Sequence, residues 1–118
     1  MSLVDTPLVA LLTRALDLTA QRQALVSQNL ANIDTPGYQS RDLDFARELQ
    51  RAMTSGNVEM TPVARPVPGL IDRPDGNNVS IDRESLLMAQ NQLQFQTEVA
   101  LLHSEMNRLQ SAISGGGQ

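Results

Sequence analysis

Apolar residues recur at alternating intervals of four and three in both the first and the last third of the chain. This heptad spacing places the positions on one face of an α-helix, because the helix has about 3.6 residues per turn. The two sets are Leu12, Leu16, Thr19, Gln23, Val26, Leu30 and Ile33, and Met88, Gln92, Phe95, Val99, Leu102, Met106, Leu109 and Ile113. They predict two long helices, over residues 6–33 and 80–114.

Each predicted helix carries a second apolar stripe beside its heptad seam. The residues of these stripes are Leu11, Leu18 and Leu25 in the first helix and Leu86, Ala89, Leu93 and Ala100 in the last. A helix that is apolar on two adjacent faces requires more than one neighbour. Thr19 and Gln23 put polar atoms into the first seam, a feature that often fixes register or partner choice. The pattern therefore favours lateral association.

The first helix is predicted to end at a turn. Pro36 lacks a backbone donor and disfavours helical geometry at the residue before it, and Gly37 admits a positive φ, so the helix should end near Ile33 or Asp34. Asn29 and Asn32 lie close to that end, although asparagine is a mediocre helix former whose amide prefers a specific partner. We expect these two amides to hold the turn in place.

A short helix is predicted after the turn, with Asp42 or Asp44 as its cap and Phe45, Leu49 and Met53 on one face. Gly56 should end it. Residues 57–78 contain four prolines and two glycines, which predict an extended, irregular segment with one brief strand around residues 58–60.

The predicted fold is therefore all-α. Two long terminal helices pack as an antiparallel coiled-coil-like pair, joined through the turn, the short helix and a long irregular middle loop. With 118 residues the chain forms a single domain, 1–118, divided into a helix over 6–33, a connecting region over 34–79 and a helix over 80–114. Aromatic residues make up 3% of the chain, which favours a core of helices packed on helices.

Charge and composition argue against several kinds of partner. The net charge of −4 disfavours binding to nucleic acid or to an anionic membrane surface. No window reaches the roughly 20 apolar residues that cross a bilayer, and the N-terminus lacks the basic region of a cleaved signal. There is no cysteine to form a disulfide or a thiolate metal site.

The sequence gives little support to an enzyme. His103 is the only histidine, and no positioned partner for a general base is evident. Asp42 and Asp44 could form a carboxylate pair, but at a helix entrance they more simply complement the positive helix end. The acidic segment 72–78 has its glycine and its final residue at the wrong places for an EF-hand and reads as a turn. We predict no catalytic residue, no metal and no cofactor.

A DNA-binding helix-turn-helix is the strongest alternative, because a helix, a turn and a short helix follow one another. The acidic side chains of Asp42, Asp44 and Glu48 on the second helix would repel phosphates. A small helical adaptor protein is a further alternative.

The run Asn29-Leu-Ala-Asn-Ile-Asp-Thr-Pro-Gly-Tyr38 resembles the signature near the N-termini of bacterial flagellar rod, hook and hook-associated proteins. Residues 39–45 and 77–84 are similar to the corresponding stretches of proximal rod proteins, except that Ser80 stands where an acidic residue is expected. The resemblance implies that the assembly motif consists of Asn29, Ala31, Asn32, Thr35, Pro36, Gly37, Tyr38, Asp42 and Phe45.

The resemblance further implies a structural subunit of the flagellar basal-body rod, not an enzyme. Such a subunit assembles helically through its terminal helices, transmits torque and surrounds the export channel. It reaches the periplasmic rod through the flagellar type III export apparatus, without a cleaved signal peptide. Its expected partners are copies of itself, other axial proteins and the adaptor FliE, with no nucleic acid and no direct insertion into a membrane.

Overall fold

The computed structural model describes residues 6–56 and 60–115. In chain order the elements are α1 (Pro7–Ala31), β1 (Arg41–Asp42), α2 (Phe45–Ser55), β2 (Arg65–Pro66) and α3 (Ile81–Gly115). The molecule measures 70 × 27 × 18 Å and has a radius of gyration of 18.3 Å, whereas a compact domain of this length has about 13 to 14 Å. The prediction of a mostly helical chain with two long terminal helices is confirmed, and the shape is strongly elongated.

Both ends of α1 are capped by polar side chains. At the start, Thr6 Oγ1 accepts a hydrogen bond from the Val9 amide at 3.1 Å, and Pro7 occupies the first helical position. At the other end α1 stops at Ala31, two residues before the predicted limit. Asn32 is the C-cap residue, with φ −105° and ψ 19°, and its side-chain amide donates to the Gln28 carbonyl at 2.8 Å.

The apolar core is small and lies mainly along α1. The buried apolar side chains of α1 are Val9, Leu12, Ala15, Leu18 and Val26, and Leu43, Ala52, Val79 and Leu87 from the rest of the chain complete the core. From the heptad set predicted for this helix, Leu12, Thr19 and Val26 are buried, while Leu16, Gln23, Leu30 and Ile33 are partly buried. The predicted set therefore coincides only in part with the buried side of α1, which also includes Val9, Leu18 and Asn29.

The last helix, α3, begins after Ser80, whose Oγ accepts a hydrogen bond from the Arg83 amide at 3.2 Å. Serine thus provides the helix cap at the position where the related proteins are expected to have an acidic residue. Side-chain contacts to α1 occur in reverse order along the two helices, from Asn29 with Glu84 to Thr19 with Glu98. This order is that of antiparallel neighbours.

The face that α3 turns toward α1 is mostly polar, which differs from the sequence prediction. Its buried residues are Glu84, Leu87, Asn91, Glu98 and Glu105. Hydrogen bonds make this burial tolerable, since Asn91 Nδ2 donates to Gln23 Oε1 at 3.1 Å and Thr19 Oγ1 contacts Glu98 Oε1 at 2.5 Å. The polar residues at positions 84, 91, 98 and 105 are therefore seven residues apart and lie on the face of α3 that is turned toward α1.

The apolar residues predicted as the seam of α3 lie beside that inward face. Phe95 is 44% exposed, Val99 43% and Ile113 55%. Met88, Leu102, Met106 and Leu109 are partly buried, and Gln92 is exposed. The second stripe of Leu86, Ala89, Leu93 and Ala100 is exposed along its whole length. Phe95, Val99, Ile113 and the second stripe are thus left largely uncovered by the described part of the chain.

Glu98 provides a test of this inward face. Burial raises the pKa of the Glu98 carboxyl, although the hydrogen bond from Thr19 opposes the rise. A carboxyl with a raised pKa in the folded state disfavours folding at pH values above that pKa, and the penalty disappears as pH falls toward the ordinary value of 4.5. We expect Glu98→Gln to raise Tm by a few degrees at pH 7 and to have little effect near pH 4, as thermal denaturation followed by circular dichroism would measure.

Glu105→Gln is the matched control for Glu98→Gln. The hydrogen bond and charge of Arg108 lower the pKa of the Glu105 carboxyl, so its contribution favours folding above the ordinary pKa and is lost as pH falls. Glu105→Gln should therefore lower Tm slightly at pH 7. The same stabilisation by both substitutions would contradict the assignment for Glu98.

The shorter elements differ from prediction in detail. Asp44 caps α2 by accepting from the Arg47 amide at 3.1 Å, and Gly56 ends the helix with φ +71°. The buried face of α2 is formed by Glu48 and Ala52, and the predicted face is more exposed, with Met53 63% exposed and Phe45 and Leu49 only partly buried. Glu48 is buried because Arg51 Nη1 donates to both of its carboxylate oxygens.

The middle segment is irregular over residues 60–80, as predicted, apart from β2. β2 pairs antiparallel with β1, with Arg41 opposite Pro66 and Asp42 opposite Arg65. The strand predicted around residues 58–60 falls mostly on residues 57–59, which lie outside the described part. Among the described helices, none combines the length and apolar character needed to cross a bilayer.

Candidate assembly site

The turn after α1 and the loop before α3 meet at one end of the helix pair. We call the contact between turn residues 32–40 and loop residues 72–79 the junction. The sequence motif 29–38 therefore lies against the second stretch that resembles rod proteins, 77–84, although some 40 residues separate the contacting groups along the chain. Two asparagines, Asn29 and Asn77, make the central contacts.

Asn29 is 1% exposed and uses all its hydrogen-bonding capacity. Its Nδ2 donates to the Arg41 carbonyl at 2.9 Å and to Glu84 Oε1 at 3.2 Å. Its Oδ1 accepts from the Arg41 amide at 3.1 Å and from the Tyr38 hydroxyl at 3.3 Å. One side chain thus joins the end of α1 to β1 and to the first turn of α3.

Asn77 is fully buried and has an equally complete set of partners. Its Nδ2 donates to the carbonyls of Asn32 at 2.8 Å and Thr35 at 2.9 Å. Its Oδ1 accepts from the Val79 amide at 2.8 Å and from Arg73 Nη2 at 2.7 Å. The Asn77 amide therefore binds the turn from the side of the loop and fixes the loop itself.

Further hydrogen bonds extend the junction on both sides. Asn78 Oδ1 accepts from the Ser40 amide at 2.6 Å, and Asn78 Nδ2 donates to Gln39 Oε1 at 2.7 Å. Gln39 Nε2 in turn donates to the Gly76 carbonyl at 2.6 Å. Arg73 donates to the carbonyls of Val79 and Ile33. Many of these bonds involve backbone atoms, so they fix the backbone conformation of the turn and the loop directly.

Two glycines allow the turn and the loop to approach closely. The Gly37 amide donates to the Asp75 carbonyl at 2.9 Å. Gly37 and Gly76 have φ of +77° and +84°, a region that side chains other than glycine rarely adopt. A Cβ on Gly76 would lie 3.4 Å from Gly37 Cα, at van der Waals contact. Backbone therefore packs on backbone at this point.

Asp42 is the centre of an ion-pair network next to the junction. Arg22 on α1 binds it through two hydrogen bonds of 2.9 Å, and Arg83 Nη2 on α3 donates to Asp42 Oδ2 at 3.0 Å. Arg83 Nη1 also donates at 2.8 Å to Glu84, which Asn29 contacts in turn. Asp42 therefore connects α1, β1 and α3, whereas helix capping is left to Asp44.

Comparison with known proteins identifies the family of the chain. A family model described as flagella basal body rod protein matches residues 11–39, which cover most of α1 and the turn. The flagellar basal body rod protein FlgB of Salmonella typhimurium is 38% identical, with 86% of this chain and 89% of the relative covered. FlgB of Escherichia coli is 36% identical over 86% and 89%, and FlgB of Cereibacter sphaeroides is 39% identical over 86% and 90%. The chain belongs to the flagellar basal body rod protein family. It is a structural protein, not an enzyme.

The residues predicted for assembly of this rod protein lie in and around the junction. Asn29, Tyr38 and Asp42 are in the hydrogen-bonded network, and Gly37 is at the close approach. Asn32 and Thr35 bond to each other at 3.0 Å and present their carbonyls to Asn77. Ala31 and Pro36 are exposed, and Phe45 is partly buried at the start of α2.

Sequence reasoning missed the arginines that complete the site. Arg22, Arg73 and Arg83 each contact groups that are distant along the chain. Only their charge, opposite to that of Asp42 and Glu84, could have indicated a role for Arg22 and Arg83. Arg73 binds carbonyl oxygens, for which the sequence carries no signal.

The described residues of this rod protein make hydrogen bonds and ion pairs that hold the fold, as expected for a structural site. They contain no group of three or more His, Cys, Asp or Glu side chains able to hold a metal ion. His103 is exposed on α3. The segment 72–78 forms a turn in which the Gly76 amide donates to the Arg73 carbonyl at 2.8 Å, as predicted. The junction holds backbone in place and offers no reactive group.

Proposed function

We propose that the chain is a subunit of the proximal part of the rod, where its two terminal helices pack as a coiled-coil-like pair and associate laterally with neighbouring subunits. Such an assembly transmits torque and surrounds the export channel. The observation that supports the proposal is the set of apolar side chains of α3 that residues 6–56 and 60–115 leave exposed. A helix with this surface gains stability when neighbouring helices cover it.

The polarity of the two sides of α3 strengthens this argument. In a protein that functions as a monomer, the apolar side of a helix faces the core and the charged side faces water. Here Asn91 and Glu98 are buried against α1, while Leu86, Leu93 and Val99 remain accessible. The sides of α3 available to neighbours are therefore richer in apolar groups than its internal side.

The junction suits a load-bearing role. Asn29 and Asn77 join the end of α1 to the start of α3 through hydrogen bonds that leave no side-chain amide group unpaired. The Asp42 network adds bonds between the same elements. Relative rotation of the two helices would break several of these bonds together, so torque applied to one helix reaches the other.

The proposed partners follow from this assembly and from the resemblance to rod proteins. They are other copies of the chain, other axial proteins, the adaptor FliE and the flagellar type III export apparatus. Export takes place without a cleaved signal peptide, and the final location is the periplasmic rod. The helix-turn-helix alternative is less compatible with the geometry, because the segment between α1 and α2 is bound to loop 72–79 and contains β1.

Leu93→Glu tests whether the exposed stripe of α3 is an assembly surface. Leu93 is 67% exposed, so the substitution should leave the helicity of the isolated chain unchanged. At an interface it would bury an unpaired carboxylate, at a cost of several kcal/mol by order of magnitude. We expect loss of swimming on soft agar and loss of rods in purified basal bodies, when the variant is the only copy in the cell.

Gln110→Glu is the matched control, since it adds the same charge at an exposed polar position of the same helix, about 100° around the axis from Leu93. Cells with this variant should swim normally. Normal swimming of the Leu93→Glu cells would remove the support for assembly through this stripe. A map of the basal body with resolved side chains would test the position of α3 relative to the channel.

A further inference from the structure

Two isoleucines at the junction end of the molecule are exposed on one concave surface. Ile71 in the loop is 88% exposed, and Ile81 at the start of α3 is 58% exposed. Both line a depression of about 600 Å³, which also contains the partly buried side chains of Ile33 and Leu70. A single exposed apolar side chain is ordinary, whereas several that share a concave surface mark a place where another molecule binds. We call this depression with its four apolar side chains the end patch.

The floor of the end patch is held in place by the junction. Arg73 lines the depression and donates hydrogen bonds to the carbonyls of Ile33, just after α1, and Val79, just before α3. Asn78 lines it as well and accepts a hydrogen bond from the Ser40 amide at 2.6 Å. A surface that is already ordered loses little conformational freedom when a partner binds. The end patch is therefore suited to a contact of fixed geometry.

Acidic side chains flank the end patch. Four exposed aspartates lie in or next to the segments that line it, and within residues 6–56 and 60–115 none of them forms an ion pair with an arginine. They are Asp34, Asp72, Asp75 and Asp82. Four aspartates and the single Arg73 between them give a formal charge of −3, most of the net charge of −4 of the whole chain. The neighbouring Asp42 network adds no net charge, because two arginines balance its two carboxylates.

An apolar floor with an acidic border favours one kind of ligand, an apolar side chain that has lysine or arginine close to it in its own sequence. The depression removes the apolar side chain from water. The cations face the aspartates at the border, where opposite charges speed association and select the partner. Lysine and arginine also cover apolar surface with their methylene stems while the charged group stays in water.

A second copy of the chain does not provide such a segment. All nine basic residues are arginines, and apart from Arg73 in the junction they fall into two groups. Five are ion-paired or buried, and the three that have no ion pair within the described residues lie beside carboxylates of β1 and α2. The first group is Arg14, Arg22, Arg51, Arg83 and Arg108, and the second is Arg41, Arg47 and Arg65, next to Asp42, Asp44 and Glu48. The matching cations therefore come from a different polypeptide.

We propose that the end patch binds a different subunit of the rod, through an apolar side chain of that subunit flanked by lysine or arginine. The contact presupposes the proposed rod function, because it places the chain beside an unlike subunit. It uses the end of the helix pair, whereas the stripe that Leu93→Glu tests lies along the length of α3. Because two acidic end patches repel each other, the charges that select the unlike subunit also oppose pairing of two identical ends.

A peptide titration tests the chemistry of the end patch in solution. The probe is a short, fluorescently labelled amphipathic helix of leucine and lysine, titrated with the purified full-length chain at low salt and followed by fluorescence anisotropy. We expect this peptide to bind, and the same peptide with glutamate in place of lysine to bind at least about tenfold more weakly. Ile71→Ser should weaken binding of the leucine–lysine peptide about fivefold or more. Its fold should be unchanged, because Ile71 is 88% exposed and lies outside the helices.

Two matched controls remove an exposed apolar side chain elsewhere. Met53→Ser on α2 and Leu93→Ser on the stripe of α3 should leave the affinity for the leucine–lysine peptide unchanged, although these side chains are 63% and 67% exposed. Equal binding of the lysine and glutamate peptides would overturn the proposal. So would a loss of affinity in Leu93→Ser as large as that in Ile71→Ser, because the peptide would then bind the stripe.

The charges are tested by removing two of the aspartates. Asp72→Asn combined with Asp82→Asn should weaken binding of the leucine–lysine peptide about fivefold, and raising the salt concentration should have a similar effect, because the aspartates are exposed. Asp44→Asn is the matched control, since it removes an exposed carboxylate on another side of the chain and asparagine still caps α2. Equal effects of Asp44→Asn and of the double variant would show that only the overall charge of the chain matters.

Photo-cross-linking tests the contact in assembled rods. Cells carry p-benzoylphenylalanine in place of Ile71, or in place of Met53 as the control, and the basal bodies are purified after irradiation of swimming cells. We expect position 71 to become attached to another rod polypeptide, at an apolar residue with lysine or arginine within one helical turn, as mass spectrometry of the cross-linked peptides would show. Attachment of position 71 to a second copy of the chain, or no attachment in rods of swimming cells, would overturn the proposal.

These outcomes are separate from those of the proposed rod function. Loss of swimming in Leu93→Glu cells without any cross-link from position 71 in rods with the natural Leu93 would reject the end patch contact and leave lateral assembly standing. Conversely, a cross-link from position 71 to an unlike rod subunit, together with normal swimming of Leu93→Glu cells, would retain this contact and reject assembly through the stripe.

Discussion

Asn29→Ala should abolish swimming and lower the Tm of the isolated chain by about 10 to 15 °C. The reason is that the substitution removes four hydrogen bonds of a buried side chain and leaves Glu84 and the Arg41 backbone without those partners. Each buried polar group left unpaired costs about 1 to 3 kcal/mol, so a loss near 3 kcal/mol is expected in total. The higher helix propensity of alanine returns only about 0.5 kcal/mol.

Asn32→Ala is the matched control for that substitution. Its side chain bonds to the Gln28 carbonyl and to the Thr35 hydroxyl on the exposed side of the turn, where water can replace it. A loss of less than about 1 kcal/mol is expected. If Asn29→Ala and Asn32→Ala lowered Tm by the same amount, the central position of Asn29 would be refuted. The double variant should fail to swim because of Asn29.

Asn77→Ala should have an effect of similar size through the other half of the junction. The substitution leaves the carbonyls of Asn32 and Thr35 and the amide of Val79 without a side-chain partner. We expect a loss of about 3 kcal/mol in the free energy of unfolding, measured by urea denaturation. Hydrogen exchange should then increase at the turn as well as in the loop, because the two segments are held by the same amide.

Asn107→Ala controls for the removal of an asparagine amide as such. Asn107 is exposed on α3, so its replacement should change stability by no more than a few tenths of a kcal/mol. An Asn77 variant that kept normal exchange in the turn and lost stability only in the loop would show that the two segments are held independently.

The helices were accessible from sequence because their signals are local. Heptad spacing, the Thr6–Pro7 start and the Pro36–Gly37 turn each act within a few residues, and they locate α1 and α3 closely. The exact end of α1 was less accessible. Asparagine at position 32 is compatible with either a last helical turn or a C-cap, because its side chain can bond back to the Gln28 carbonyl in both.

The inward face of α3 could not be inferred from the same pattern. Apolar periodicity indicates which face avoids water, but it does not indicate whether the chain itself or a neighbour covers that face. In α3 the polar positions 91 and 98 face α1, and Phe95 and Val99 remain accessible. In the proposed assembly, neighbouring subunits cover these apolar residues, and the usual rule would fail for that reason.

The junction could be predicted only in part. Asn29 and Asn32 stand out as unusual residues near a helix end, and a role in holding the turn follows from their chemistry. The partners Arg73 and Asn77 do not follow, because contacts over some 40 residues depend on the path of the middle loop. The role of Asp42 could not be predicted from the sequence either, since both a helix cap and an ion pair would explain a carboxylate at that position.

The polar contacts between α1 and α3 also oppose sliding of one helix along the other. Acidic or amide side chains on α3 face α1 every seven residues, at intervals of about 10 Å. A slide of one helical turn, about 5.4 Å, would break the bonds of Asn91 and Glu98 to Gln23 and Thr19. The pair therefore resists axial shear, and each exposed apolar group keeps a constant height above the junction. In a stacked structure that constant height becomes a constant step from one subunit to the next.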